Sequence, residues 1–359
     1  MMLASRYLVY YCKMHVLWRT AEIQFDMNRL TRLLAFLSLV VLLVSCNKYK
    51  EVYFIGETQG TYYAVTYFDT EGQYFQTEID SILYDFDQSA SLWVPTSLIS
   101  RINENDSSVI ADEVIKTLYN MSVEVSKKSD GYFDFTIGPL VNAWGFGFKS
   151  GVHPDSIMVD SLKGIVDYTK VMLQDGKIIK SDPRIKFDFN AIAQGYAVDI
   201  VGKFLEKKGI ENYIIDIGGE VLAKGKKPGN KSWLVGIEKP TDDVMAGRQT
   251  QIKIQLNDKA VATSGSYRKY YIKDGIKYSH TINPKTGYPV THSLLSATVV
   301  AIDAATADAY ATAMMVVGLP AAMDLANRLE GIEALFISDA GNGKYSVKYT
   351  DGFEEIIKE

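Results

Sequence analysis

Cysteine is nearly absent from this sequence of 359 residues. Both cysteines, Cys12 and Cys46, lie close to the N-terminus, so the long body that follows contains none. A body without thiols excludes disulfides, thiol nucleophiles and cysteine metal sites as explanations of fold or activity.

An excess of positive charge is missing as well. Lys and Arg total 38 against 43 Asp and Glu, which gives a net charge of −5 at neutral pH. Because an acidic body does not attract nucleic acid, we expect no nucleic-acid partner. The G-x-G-x-x-G and Walker patterns are also absent, which excludes the two best-known phosphate-binding loops.

An apolar run near the N-terminus is short for a membrane-spanning helix. Residues 27–46 read MNRLTRLLAFLSLVVLLVSC, in which Arg29 and Arg32 precede the apolar residues. The run has about a dozen residues, whereas a spanning helix needs roughly 20. The pattern resembles a bacterial lipoprotein signal peptide that ends before Cys46, and a transmembrane anchor is the alternative.

This signal pattern sets the predicted division of the chain. Polar residues ahead of Met27 fit no signal peptide, so Met27 is predicted as the true start. We expect the protein to be exported and anchored to a bacterial membrane by a lipid on Cys46. The predicted segments are a mis-annotated extension at 1–26, a signal peptide at 27–45, a tether at 46–57 and one functional domain at 58–359.

The stretch KFDFNAIAQGYAVD, residues 186–199, is the centre of the domain's pattern. An alternating apolar strand end runs into Asn190, a residue type that often caps helices, and then into a helix predicted over Ala191–Lys208. Backbone groups and a carboxylate converge at such a corner. It is therefore a place to hold an anion, a metal ion or both.

Glycines and aromatics are interleaved upstream of this corner. Residues 131–148 read GYFDFTIGPLVNAWGFGF, which is typical of backbone wrapped around a flat ligand. A glycine-rich turn over a hydrophobic core is the alternative, and the residues alone favour it.

The remaining segments predict an α+β fold. Many alternating runs joined by turn residues, such as the Gly218-Gly219 pair, indicate largely antiparallel sheets. Helices are interspersed among them, including one over Ala304–Val317 that ends at Gly318. A closing hairpin is expected around Asp351-Gly352. A regular parallel βαβ array is not expected.

Six motifs follow one another in this order within about residues 59–318: GYFDFTIGPLVNAWGFG, FDFNAIAQGYAVD, YIIDIGGE, VATSGSYRKYY, SHTINPKTGYPV and ADAYATAMMVVG. Together they resemble the FAD:protein FMN transferase (ApbE) family. The resemblance implies two intertwined subdomains with an active-site cleft between them. It also implies the Mg²⁺-dependent transfer of the FMN half of FAD to a Thr or Ser hydroxyl of a partner protein, with release of AMP.

The resemblance implies a metal site made of oxygen ligands, as Mg²⁺ prefers. The ligands would be the backbone carbonyl of Ala191 and the side chains of Asp308 and Thr312. Asp308 and Thr312 are four positions apart, so a helix places both on one face. A Thr312 hydroxyl bonded back along its own helix is the alternative.

The family pattern also assigns residues to FAD and to proton transfer. His280 is the candidate base, although a structural histidine is equally compatible with the sequence, and Asp308 can orient the acceptor hydroxyl through the metal. Arg268, with Ser264 and Tyr267, is a candidate phosphate contact; a solvated rim arginine is the alternative. The implied FAD contacts are Gln59, Trp93, Tyr132, Phe133, Asp134, Asp188, Gln194 and Ile282.

Three positions depart from the family pattern. Many relatives have Met in place of Gln59, Tyr in place of Trp93 and an acid in place of Asn283. The first two put those flavin contacts in doubt, and the third matters if an acid orients His280.

The family further implies the partners. Expected acceptors are periplasm-facing flavoprotein subunits of membrane electron-transport complexes, such as the sodium-pumping NADH:quinone oxidoreductase. Two other functions remain open: a Mg²⁺-dependent FAD pyrophosphatase that gives FMN and AMP, and a lipoprotein that binds flavin without turnover.

Overall fold

A large antiparallel sheet carries the fold. The computed structural model describes residues 49–147, 154–240, 250–266, 270–273 and 276–358. The chain divides into two compact units, 1–50 and 51–359, and the second holds nearly all the described residues. Cys46 and the predicted extension and signal peptide lie outside the described residues.

The strands in chain order are β1 (Lys50–Thr58), β2 (Thr61–Asp69), β3 (Val171–Gln174), β4 (Lys177–Lys180), β5 (Tyr213–Ile217), β6 (Glu220–Lys224), β7 (Trp233–Glu238), β8 (Thr250–Leu256), β9 (Lys259–Gly265), β10 (Tyr270–Lys273), β11 (Ile276–Ser279), β12 (Leu294–Ala301), β13 (Glu333–Gly341), β14 (Lys344–Tyr349) and β15 (Ile357–Lys358). Eight of them form one sheet in the order β1-β2-β5-β6-β9-β12-β13-β14. A three-stranded sheet has the order β15-β8-β7, and β3-β4 and β10-β11 are separate hairpins.

The α-helices among the described residues are α1 (Gln76–Ala90), α2 (Leu98–Asn103), α3 (Glu113–Lys128), α4 (Gly138–Ala143), α5 (Ser156–Lys163), α6 (Ala193–Lys207), α7 (Ala304–Val317), α8 (Leu319–Arg328) and α9 (Asp351–Glu354). None of them is both long and apolar enough to span a bilayer. Together with the antiparallel sheets they confirm the predicted α+β class.

The two faces of the large sheet are buried in different ways. On β9, Ala260 and Ala262 face the main core with the helices, whereas Val261 between them faces a second cluster. That second cluster includes Trp233 and Ile254 of the three-stranded sheet. Alternate side chains of a strand point to opposite faces, so the large sheet is covered on both sides.

Three sequence predictions need correction. A strand, β1, occupies residues that were predicted as a tether, because Val52 and Phe54 pack into the main core. The helix of the central corner begins at Ala193 rather than Ala191, and Asn190 does not cap it. The short helix α9 replaces the hairpin expected around Asp351-Gly352. The helix predicted over Ala304–Val317 is confirmed, with Gly318 at φ 78° after it.

Candidate active site

One edge of the large sheet gathers several of the predicted site residues. Tyr63 of β2 pairs with Ile217 of β5, which places the turn of Gln59 beside the Gly218-Gly219 turn. The Gly218 amide donates to the Tyr62 carbonyl at 3.0 Å. Because Val221 pairs with Val261, the end of β9 lies at this same edge.

Helices α6 and α7 cross closely at Gly195. A Cβ on Gly195 would overlap the Ala304 carbonyl oxygen and lie 2.8 Å from Ala305 Cα. The Gly195 amide donates to Asp308 Oδ2 at 3.2 Å. The segments near residues 190 and 310, which the sequence predicts to share a metal ion, are therefore neighbours.

Asp308 is a buried carboxyl with few compensating contacts. Its side chain is 6% exposed. Burial raises the pKa of Asp308 to about 7, the Gly195 amide partly opposes this rise, and the nearby charge of Asp199 adds to it. Since ionisation without a partner is unfavourable in such a place, a cation beside Asp308 would restore its charged form.

Asp199 of α6 forms a second connection between α6 and α7. Its carboxylate accepts the amides of Ala304 at 2.8 Å and Ala305 at 2.9 Å, at the start of α7. Burial nevertheless raises the pKa of Asp199 to about 7. The contacts hold the N-terminus of α7 against α6 and so fix where Asp308 lies.

The oxygen atoms at the crossing match the donor set that Mg²⁺ prefers. If α6 began one turn earlier, the Gly195 amide would donate to the Ala191 carbonyl. It donates to Asp308 instead, so the Ala191 carbonyl lacks its helical partner among the described residues. The Thr312 hydroxyl lies 3.0 Å from Ser264 Oγ instead of bonding back along α7. Among the described residues, no group of three or more His, Cys, Asp and Glu side chains forms a metal site, so a metal here would depend on these mixed oxygens.

Glu220 is a residue that the sequence analysis missed. Its Oε2 accepts the Gln194 amide nitrogen at 2.6 Å, and the same nitrogen donates to the Ile217 carbonyl at 2.8 Å. Burial, and then the charge of Asp308, raise the pKa of Glu220 well above its usual range. The YIIDIGGE motif contained the residue, but its partner is 26 positions away.

Gln59 combines two unfavourable features. It has φ 51°, in the left-handed region that a glutamine rarely adopts. Its Nε2 is buried and has no hydrogen-bond partner among the described residues. A buried donor without a partner is costly, so the position fits a ligand acceptor. Trp93, by contrast, is 67% exposed.

The segment around Asp134 is held by its own hydrogen bonds. Asp134 accepts the amide of Thr136 at 2.8 Å and the amide of Tyr168 at 2.9 Å. Phe133 is 3% exposed in the main core, so a ring contact between Phe133 and FAD would need rearrangement. Tyr132 is less buried, and Lys285 Nζ lies 4.0 Å from its ring centroid.

Asp188 is connected to that segment through the backbone. Its amide donates to the Phe135 carbonyl at 2.8 Å, and its Oδ1 accepts the Asn190 amide at 2.9 Å. The Asn103 side chain pairs with both backbone groups of Phe187, at 2.7 and 2.9 Å. Asn103 therefore positions the segment that leads into the corner, a role that its place in the sequence does not reveal. This segment forms only an isolated bridge, between Lys186 and Ile137, and not the strand that was expected there.

His280 lies in an aromatic neighbourhood. The centroid of its ring is 6.4 Å from that of Phe146, in an edge arrangement. Ile282 is buried with Leu140 and Trp144 in a third cluster. His292 is structural, because its Nε2 donates to the Met315 carbonyl at 2.8 Å.

Asn283 shapes its own loop. Its Oδ1 accepts the amides of Lys285 at 2.9 Å and Thr286 at 3.3 Å. An aspartate would make the same bonds, so the loop accommodates either residue. Arg268 and Tyr267 lie outside the described residues.

A cavity of about 610 Å³ opens beside Tyr132. Helix α8 forms its other wall through Asp324, Leu325 and Arg328. Arg328 also contacts Asp130 at 3.5 Å across this cavity. The cavity thus borders one of the predicted flavin contacts.

Comparison with known proteins identifies relatives over most of the chain. A model described as "ApbE family" matches residues 59–336. A FAD:protein FMN transferase of Vibrio cholerae serotype O1 is 35% identical over 332 residues, which are 90% of this chain and 95% of that protein. One from Haemophilus influenzae is 33% identical over 92% of this chain and 99% of its own length.

Solved structures agree with this. The flavin transferase ApbE of Vibrio cholerae has a TM-score of 0.76 at 31% identity, and covers 86% of this chain and 100% of its own. The apo form of the Pseudomonas stutzeri flavinyl transferase ApbE has a TM-score of 0.77 at 32% identity, with coverages of 86% and 97%.

Proposed function

The chain belongs to the ApbE family, and from this premise we propose that it transfers the FMN moiety of FAD to a Thr or Ser hydroxyl of a flavoprotein, with Mg²⁺ as the metal. The acceptor oxygen forms a bond to the FMN phosphorus, the bond to the AMP oxygen breaks, and the acceptor proton leaves. AMP is the second product.

The observation that best supports the metal's part is the contact between Gly195 and Asp308. This contact brings a desolvated carboxyl of α7, the helix that also carries Thr312, to the first turn of α6, which follows Ala191 in the chain. A bound Mg²⁺ would neutralise charge on the pyrophosphate oxygens of FAD. Ala191, Asp308 and Thr312 would hold it, and Asp199 would keep α7 in place.

His280 is the proposed acceptor of the hydroxyl proton. Its support is the family motif together with a partly buried position near Phe146. We expect His280→Ala to slow transfer about a hundredfold, which is typical of losing a general base. Single-turnover transfer rates measure this, with His292→Ala as the matched histidine control. A rate that stays within twofold of the unsubstituted protein would remove His280 from the chemistry.

One experiment separates the transferase from the other two functions. The purified protein is incubated with FAD and Mg²⁺, with and without an acceptor flavoprotein domain. Transfer gives a fluorescent acceptor that gains the mass of FMN. AMP released without acceptor indicates a pyrophosphatase instead, and neither product indicates a flavin-binding protein. Omitting Mg²⁺ with a chelator present should stop transfer.

We further propose that the protein is exported and lipid-anchored, and that its acceptors are periplasm-facing subunits of membrane electron-transport complexes. The support is the signal pattern before Cys46 and the family's usual partners. Mass spectrometry of the protein from bacterial membranes tests the anchor. An unprocessed N-terminus or an unmodified Cys46 would contradict it.

Gln59 provides a test of ligand contact. In Gln59→Met, the buried unpaired amide is lost, so the ligand-free protein should gain about 1 kcal/mol in unfolding free energy. FAD affinity should fall about fivefold to tenfold, because one hydrogen bond is lost. Thermal unfolding and flavin fluorescence titration measure the two effects. Gln174→Met, at an exposed strand end, is the control; equal affinity of both variants for FAD would refute the contact.

A further inference from the structure

The Gln194 side chain is held in one orientation by two acceptors. Both donors of Nε2 are engaged, one by the Ile217 carbonyl at 2.8 Å and one by Glu220 Oε2 at 2.6 Å. A carboxamide oxygen in the same position would face two acceptors and be repelled. Nε2 therefore faces the β5–β6 hairpin, and Oε1 faces away from it.

The hairpin is built around this amide. A Cβ on Gly218 would overlap Gln194 Nε2, and Gly218 has φ 66°. The Gly219 amide donates to Asp216 Oδ1 at 2.9 Å, and Asp216 Oδ2 accepts from Tyr62 at 3.1 Å. The Gly-Gly turn thus leaves room for the Gln194 amide and holds Glu220 within hydrogen-bond distance of it.

Gln194 Oε1 has no partner among the described residues. The atom is accessible, not buried, and no donor among the described residues bonds to it. An acceptor that is accessible and fixed in direction is suited to a ligand. The turn of Gln59 lies at this same edge, and Gln194 itself precedes the Gly195 crossing of α6 with α7; both are parts of the candidate active site.

We propose that Glu220 is a positioning residue, which fixes the Gln194 carboxamide so that its oxygen accepts a hydrogen bond from FAD. The donor on FAD is a ring N–H or a sugar hydroxyl. Glu220 does not touch the ligand; it acts through Gln194. The inference rests on the proposed function for the identity of the ligand. It adds Glu220 as the residue that determines which atom of the Gln194 carboxamide faces FAD.

Two substitutions of Glu220 separate orientation from charge. Glu220→Gln keeps a side-chain oxygen that accepts from Gln194 and loses the charge, whereas Glu220→Met keeps the length and loses the acceptor. FAD dissociation constants are measured by fluorescence quenching without turnover. We expect Glu220→Met to weaken FAD binding about fivefold to tenfold and Glu220→Gln to restore most of that loss. If Glu220→Gln is as weak as Glu220→Met, charge rather than orientation is responsible, and the proposal is wrong.

A double substitution tests whether Glu220 acts through Gln194. Gln194→Met alone should weaken FAD as Glu220→Met does, and combining the two should add little, since both remove one contact. Additive losses would overturn the proposal. Titrations with FMN and with AMP show which half of FAD carries the donor, because only that half should lose affinity. If Glu220→Met does not unfold cooperatively, Gln194→Met alone decides, and unchanged affinity in it overturns the proposal.

The same titrations keep this inference distinct from the proposed function. If the unsubstituted protein binds FAD but modifies no acceptor, the transferase proposal fails while the binding data still test Glu220. If transfer occurs normally in Glu220→Met with unchanged FAD affinity, only the inference about Glu220 fails.

Discussion

Asp308→Ala is expected to reduce FMN transfer by about a thousandfold or more. Asp308 is the one side-chain carboxylate in the proposed metal set, and losing the metal's charge stabilisation removes several kcal/mol from the transition state. The Gly195 amide would also lose its acceptor. The rate of FMN addition to an acceptor domain, followed by mass, measures the loss.

The unfolding free energy of this variant should also depend on pH differently from that of the unsubstituted protein. Burial raises the pKa of Asp308 from 3.8 to about 7 in the metal-free protein. A carboxyl with a raised folded-state pKa lowers stability progressively as pH rises from about 4 to about 7. The variant should lose less stability over this window than the unsubstituted protein, and Mg²⁺ should stabilise only the latter.

Asp303→Ala is the matched control on the same helix. Asp303 caps α7 by accepting the Thr306 amide at 2.8 Å, so its loss should cost about 1 kcal/mol of unfolding free energy. It contributes no proposed ligand, and its transfer rate should stay within a few-fold at temperatures where the protein is folded. Transfer by Asp308→Ala at the control's rate would eliminate the proposed metal site.

The elements that were predicted well from the sequence have residues at both ends that mark where they start and stop. Helix α7 is one of these, since Asp303 caps its start and Gly318 adopts φ 78° at its end. Strand β1 was missed because apolar residues occupy both faces, with Tyr53 and Ile55 exposed opposite the buried Val52 and Phe54. Without alternation, the segment gave no period-two pattern.

The corner of the site shows why its details needed coordinates. Asn190 was predicted to cap a helix, but Asp188 binds its amide, and the Phe189 carbonyl accepts the amides of Ile192 and Ala193. This turn delays the helix by two residues. Composition and motif order found the residues, whereas the contact from Gln194 to Glu220 depends on how a helix meets a hairpin distant in sequence.

Gly195→Ala is expected to disable the site as fully as Asp308→Ala, by a different physical route. The added Cβ would overlap the Ala304 carbonyl oxygen and lie 2.6 Å from its carbon. Both neighbours are backbone, so no side chain can move aside, and α6 and α7 must separate. Overpacking of this kind costs about 3 kcal/mol. Separation also breaks the Gly195 contact to Asp308, so metal-dependent transfer should be lost even where the variant remains folded.

Gly202→Ala distinguishes this steric effect from a general effect of alanine in α6. Its Cβ would meet the side chains of Leu222 at 2.8 Å and Tyr213 at 3.0 Å, which can shift, and alanine favours the helix by about 1 kcal/mol. Denaturant unfolding and transfer rates should therefore change little in Gly202→Ala. If Gly195→Ala retained both its unfolding free energy and its transfer rate, α6 and α7 would not need their close approach, and the proposed metal corner would lose its geometric basis.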